Sequence, residues 1–191
     1  MDKIFISANE LMRDSFKLAI DILKTGYRPS YLVGVWRGGT PVGIAVQELF
    51  EFYGFESNHF AIRTSSYGGG MTPEKNVKVM GLEYLIGTIN AEDQLLIVDD
   101  VFDSGRSVDA IIRELHTKCR RNTPEDIRVA TVYYKPEKNT TERVPDYYVH
   151  QTNALLVFPH ELRGCTLDEL RAQKELPEEA YDLWMQFKDG R

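Results

Sequence analysis

Residues 95–108, LLIVDDVFDSGRSV, constrain this chain more than any other stretch. Four consecutive aliphatic residues, Leu95 to Val98, mark a strand buried on both faces, as in the middle of a parallel sheet. Asp99 and Asp100 follow at once, and then a short loop in which Ser104 and Ser107 flank Gly105. Beyond it Val108, Ile111, Ile112, Leu115 and Cys119 recur on one helical face. A buried strand, a tight turn and a helix in direct succession make a βα unit.

The rest of the chain repeats that alternation. Ser7 and Glu10 have the spacing of a capping box, and Met12, Phe16, Ala19 and Leu23 continue at helical spacing to a stop at Gly26. YLVGV (31–35) is a second buried-strand candidate. It leads into WRGGTP, where Thr40 is expected to cap a helix that has Pro41 at its first position and ends near Tyr53. HFAIR (59–63), IRVATVYY (127–134) and DYYVHQ (146–151) read as strands. Thr166 with Glu169 suggests another capping box, and 177–188 a last helix. The segment 64–76, TSSYGGGMTPEKN, is expected to be a long polar loop, a type that is usually functional or disordered. Strands alternating with helices give an α/β fold with a largely parallel sheet flanked by helices. In such sheets ligands sit beyond the carboxyl ends of the strands, where the opening stretch places its acids and its loop.

Composition excludes other classes. With 191 residues the chain suits one domain with a sizeable core, and no apolar run approaches the roughly 20 residues of a membrane span. A net charge of −6 argues against a nucleic-acid surface. The two cysteines, Cys119 and Cys165, are far apart and form no CxxC; together with an N-terminus lacking a secretory pattern they suggest a cytoplasmic protein.

The residues of the opening stretch suggest a chemistry. Carboxylates at the end of a strand can accept hydrogen bonds from vicinal hydroxyls or hold a hydrated cation. The N–H groups and hydroxyls of Ser104, Gly105, Arg106 and Ser107, at a helix N-terminus, suit a phosphate dianion. A sugar phosphate satisfies both halves. The plain alternative is a capped helix following a strand whose acids are merely solvated.

The same stretch resembles the phosphoribosyl-diphosphate (PRPP) signature of type I phosphoribosyltransferases: four apolar residues, two acids, two apolar residues, a variable position and T/S-G-x-T/S. The resemblance extends from about residue 28 to 163, and its further pieces occur in the order of the purine-salvage branch, the hypoxanthine-guanine and xanthine-guanine enzymes. It implies one phosphoribosyltransferase domain over 1–191, with a small hood at about 145–165 plus the C-terminal helices, and a mobile lid at about 64–76. It implies that Asp99 and Asp100 bind the ribose of PRPP and, with Glu161, a Mg²⁺ ion, and that residues 103–107 bind the 5-phosphate. Trp36, Arg37, Gly38 and Gly39 (WRGG) resemble the pyrophosphate loop, where relatives can have a cis peptide that would here join Trp36 to Arg37; Arg163 corresponds to a further diphosphate-binding arginine. Ser66 and Tyr67 resemble the Ser-Tyr of the lid.

For the base, the resemblance implies that Lys135 donates to the exocyclic oxygen of a 6-oxopurine and that Leu155, Leu156 and Val157 cover the ring. Leu155 stands where relatives often have a stacking tryptophan, and His160 where a second one falls. Asp103 is implied as the catalytic base near the free imidazole nitrogen of the purine. The expected reaction displaces pyrophosphate from PRPP by the base, hypoxanthine being favoured and guanine or xanthine possible, in a homo-oligomer, dimer or tetramer, with neither nucleic acid nor membrane as partner. Two alternatives remain: a PRPP-sensing regulatory protein of the same fold with little catalysis, and a pyrimidine or orotate transferase, for which Asp103 and Lys135 are the wrong base-facing pair.

Overall fold

The structure is a computed structural model that describes residues 3–67 and 76–189. The chain divides into two compact units, one from Met12 to Asn153 and one built from the residues up to Leu11 together with those from Ala154 on.

The larger unit is an α/β layer structure. Its strands are β2 (Tyr31–Trp36), β3 (Asn58–Tyr67), β4 (Asn76–Met80), β5 (Gln94–Phe102), β6 (Asp126–Tyr134) and β7 (Tyr147–Gln151), β1 lying in the other unit. They form one sheet in the order β4-β3-β2-β5-β6-β7, parallel throughout except for the antiparallel β3–β4 pair. The aliphatic runs are where a two-faced burial requires them: Leu32, Val33, Leu95, Leu96, Ile97 and Val98 are all at most 2% exposed. Helices α3 (Glu83–Thr88) and α4 (Arg106–Cys119) cover one face, Leu85, Ile111 and Leu115 packing with Val33, Leu95 and Ile97. Helix α2 (Gly39–Phe52) lies against the other, and it comes close because Gly43 meets Gly34 and Leu32 with no side chain between. Helix α1 (Ala8–Lys24) begins in the smaller unit and runs into the larger.

Three local expectations need correction. Thr40 does not cap α2: the helix already starts at Gly39, with Gly38 at the cap position, and the Thr40 hydroxyl is buried without a hydrogen-bond partner. The turn is tighter than the sequence suggests because two glycines let the backbone close against β5. The stretch 64–76 is not all loop, since β3 continues to Tyr67 and pairs with β4 from Arg63↔Met80 to Tyr67↔Asn76. Backbone hydrogen bonding overrode a polar composition there, as the hydroxyls of Thr64 and Ser65 do not hinder a strand. The centre of the expected lid, 68–75, lies outside the described residues. On α1, Met12 and Phe16 are exposed, and the buried positions are Leu11, Asp14, Ser15, Leu18, Ala19 and Ile22. Within the expected hood segment 145–165, β7 is an edge strand of the main sheet.

The smaller unit pairs β1 (Lys3–Phe5) with β8 (Leu155–Val157) in parallel and adds α5 (Leu167–Gln173) and α6 (Glu178–Asp189). Both capping boxes form: Ser7 Oγ with the Glu10 amide and Thr166 Oγ1 with the Glu169 amide, each reciprocated by the glutamate carboxylate. No helix among the described residues is long and apolar enough to cross a membrane.

Candidate active site

Three strands of the larger unit end at one corner, and each contributes a different chemical group. β2 ends in Trp36 and passes through Arg37, Gly38 and Gly39 into α2; its Trp36–Arg37 peptide is cis. β5 ends with the acids, and β6 ends just before Lys135. Because β5 is hydrogen-bonded to β2 on one side and β6 on the other, these groups are neighbours by topology.

The acid pair is held tightly. The Asp100 amide donates to Asp99 Oδ1 at 3.0 Å, and the Val101 amide donates to Asp100 Oδ1 at 2.8 Å. Asp100 is 7% exposed. The β2–α2 loop lies directly on the pair: a Cβ on Gly38 would overlap the Asp100 carboxylate, and one on Gly39 would overlap the Val98 carbonyl and approach Asp99 Cα to 2.8 Å. Only glycine fits at either place, so the two glycines of WRGG are dictated by contact with the end of β5. Burial, and then the charge of Asp100, pushes the Asp99 carboxyl well above the usual carboxylate range. A divalent cation at this corner relieves that repulsion, so the pair suits one. Among the described residues no three or more His, Cys, Asp or Glu gather to hold a metal.

Beyond the acids the chain turns through Asp103 and Ser104 to Gly105, which has φ +75° and begins α4. The amides of the first helical turn have no intrahelical acceptor, so together with the hydroxyls beside them they can serve as an anion cradle. The Thr64 hydroxyl of β3 donates to Ser107 Oγ at 3.3 Å, which leaves the Ser107 hydrogen free to point at an anion. Thr64 is a neighbour the sequence reading missed; nothing in a strand threonine signals it before the β3–β2–β5 order is known. Arg106 turns its Nε to Thr140 Oγ1 at 3.2 Å.

Lys135 is 6% exposed, and its Nζ donates to Asp103 Oδ2 at 3.1 Å. Its backbone N–H donates to the Phe102 carbonyl, which continues the β5–β6 ladder to the edge of the corner. The two residues expected to face a base are thus each other's partner. Each keeps spare capacity: Asp103 Oδ1 to accept, and the remaining ammonium hydrogens to donate.

The other expected residues lie elsewhere in the chain. Ser66 and Tyr67 are the last two residues of β3. Leu155, Leu156 and Val157 form β8 of the smaller unit, Leu155 exposed and the other two buried. Glu161 closes a turn, its carboxylate accepting from the Phe158 amide at 3.0 Å, and Arg163 is exposed.

Residues 7–169 match the family model of the phosphoribosyl transferase domain. A search of curated protein sequences finds no match. Among solved structures, a purine phosphoribosyltransferase from Pyrococcus horikoshii superposes with a TM-score of 0.69 at 24% identity, over 87% of this chain and 99% of that one. A hypothetical protein from Neisseria gonorrhoeae with bound ppGpp gives 0.69 at 18%, over 91% and 96%. The xanthine-guanine-hypoxanthine phosphoribosyltransferase of Helicobacter pylori gives 0.63 at 19%, over 90% and 99%. With the family model covering most of its length, this chain belongs to the phosphoribosyl transferase family.

Proposed function

We propose that the protein transfers the 5-phosphoribosyl group of PRPP to a 6-oxopurine, hypoxanthine by preference, giving a purine nucleoside monophosphate and pyrophosphate. The observation that carries this reading is the Asp103–Lys135 pair at the same strand ends as the acid pair and the anion cradle. One acceptor beside one donor matches the edge of an oxopurine, whose ring N–H faces the carboxylate while its oxygen faces the ammonium. The purine enzymes of Pyrococcus and Helicobacter share the fold, which supports a purine over a pyrimidine.

In this reading the residues have separate tasks. Asp99 and Asp100 accept from the ribose hydroxyls and would hold Mg²⁺, which when bound neutralises charge on the diphosphate. The amides and hydroxyls of residues 104–107 bind the 5-phosphate. Arg37 and the amides of the Trp36–Gly39 loop stabilise charge growing on the leaving pyrophosphate. Carbon–oxygen cleavage runs ahead of carbon–nitrogen bond formation, and Asp103 takes the proton that the purine loses. Roles for Ser66 and Tyr67 as lid, for Leu155, Leu156 and Val157 over the base, and for Glu161 and Arg163 at metal and diphosphate rest on the resemblance in sequence. The same reading places the protein in the cytoplasm, as its two free cysteines suit, and as a homo-oligomer, for which the exposed Ile44 and Phe52 of α2 offer apolar surface.

The test is product analysis with PRPP, Mg²⁺ and the four purines adenine, hypoxanthine, guanine and xanthine. Lys135 has only donors, and facing the amino group of adenine it loses a bond worth about 1–3 kcal/mol, a preference of roughly ten- to hundred-fold. Hypoxanthine should react fastest, since no residue is dedicated to a 2-substituent. Adenine as best substrate overturns the assignment. PRPP binding with no nucleotide formed from any base supports the sensing alternative, which the ppGpp-bound Neisseria relative keeps in view.

A further inference from the structure

The turn after β6, residues 135–143, closes over the outer side of the anion cradle. Thr140 meets it most directly: its amide and its hydroxyl both donate to the Ser104 carbonyl, at 3.1 and 3.0 Å. The same hydroxyl accepts from Arg106 Nε. The turn is itself rigid. The Asn139 side-chain oxygen accepts from both the amide and the hydroxyl of Thr141 at 2.9 Å, its side-chain nitrogen donates to the Arg143 carbonyl, and the amides of Lys138 and Asn139 return to the Lys135 carbonyl. Thr141 packs so close to the loop that a Cβ on Gly105 would lie 2.5 Å from its hydroxyl.

This arrangement fixes one peptide plane. The Ser104–Gly105 bond is trans, so its carbonyl and its N–H point in opposite directions. A carbonyl drawn outward by two hydrogen bonds from Thr140 turns the Gly105 N–H inward, to the side where the helix N-terminus gathers its free amides. We propose that Thr140 is a positioning residue for recognition of the 5-phosphate: it sets the Ser104–Gly105 peptide so that the Gly105 N–H donates to the phosphate, and it holds the Arg106 side chain beside the loop. This rests on the reading of residues 104–107 as the phosphate loop. It also makes the Lys135 turn serve two subsites, with Lys135 at one end for the base and Thr140 at the other for the phosphate.

The side chain of Thr140 is exposed, so its substitution leaves the core untouched. Ribose 5-phosphate and inorganic pyrophosphate probe the two anion subsites separately by calorimetry, on wild type, Thr140→Val and Thr140→Ser. Wild type should bind both. Thr140→Val should weaken ribose 5-phosphate by about three- to ten-fold, the worth of a hydrogen bond in a partly wet setting, with pyrophosphate unchanged. The KM for PRPP should rise by the same factor while kcat stays within about two-fold, and Thr140→Ser should restore both values. Equal binding of ribose 5-phosphate by wild type and Thr140→Val overturns the positioning role. Equal weakening of ribose 5-phosphate and pyrophosphate also overturns it, because that is a general loosening of the corner. Failure of the wild type itself to bind ribose 5-phosphate instead overturns the phosphate-loop reading on which the proposal rests.

Discussion

The two units of this chain treat their polar residues in opposite ways. In the larger one, polar groups at the strand ends are fixed by backbone and by one another yet keep unused capacity: Asp99 and Asp100 accept from amides one residue on, Ser107 receives from Thr64, and Lys135 and Asp103 hold each other. In the smaller one, the polar groups close local structure. Glu161 returns to the Phe158 amide, Lys174 Nζ donates to the Phe158 carbonyl at 2.6 Å, and Glu169 serves a capping box and Lys3 at once. The difference is one of position: at the strand ends the bonding groups hold one another across elements, as Lys135 holds Asp103, whereas in the smaller unit they close the turn or helix start where they stand.

The sharpest way to break that contrast is to act on Asp103. Asp103→Asn keeps size and a hydrogen bond to Lys135 but removes the base, so turnover should fall by about 10² or more while PRPP affinity is kept. Initial rates with hypoxanthine and PRPP titrations check this, and a fully active variant removes Asp103 from the chemistry. Lys135→Met should instead collapse the roughly ten- to hundred-fold preference for oxopurines over adenine, read as the ratio of kcat/KM values.

A second test concerns Gly105, where the structure changes the reason for an expected effect. Close approach of phosphate to backbone is what a glycine in S-G-R-S suggests. Here the position also has φ +75° and has the Phe102 ring within 2.8 Å and Thr141 within 2.5 Å of a would-be Cβ. Gly105→Ala should therefore cost about 1–3 kcal/mol of stability in addition to weakening PRPP by about ten-fold or more, both visible by melting and calorimetry. Weakened PRPP with an unshifted melt would mean that the loop adapts. This position shows how far the sequence carries. Runs such as Leu95–Val98 and the face Val108–Ile111–Leu115 are legible because burial writes them in one-dimensional periods. The DD–WRGG contact, the Thr64–Ser107 bond and the Thr140–Ser104 clasp are not, because each joins residues more than thirty positions apart through a strand order that no local pattern encodes. The exposed Met12 and Phe16 mark the opposite failure, a helical period that is present but rotated from the buried face.

Leu155 tests whether the smaller unit takes part in recognition at all. If β8 covers the base as the resemblance implies, Leu155→Trp should lower the KM for hypoxanthine by about three- to ten-fold through stacking and leave that for PRPP unchanged. An unchanged KM for the base would leave the smaller unit with structural tasks only, and would make the contrast between the units complete.

The smallest expected effect lies in the smaller unit itself. Lys3 Nζ contacts both Glu169 oxygens, at 2.9 and 2.7 Å, tying β1 to the start of α5. The Lys3 hydrogen bond, and then the Thr166 amide, hold the Glu169 carboxyl below its ordinary value of 4.5. A carboxyl whose pKa is lower folded than unfolded binds fewer protons in the native state, so its contribution to stability is present above the ordinary value and is lost as the pH falls through the native one. The pair is open to solvent, and screening keeps its worth small. Glu169→Gln keeps the amide bond of the capping box and removes only the charge. Its melting temperature should lie about one degree below wild type at pH 7, and the two curves should converge as the pH falls well below the ordinary value of 4.5. A constant difference across that range would assign the effect to shape and capping rather than to the ion pair, and the Lys3 contact would then contribute nothing that charge explains.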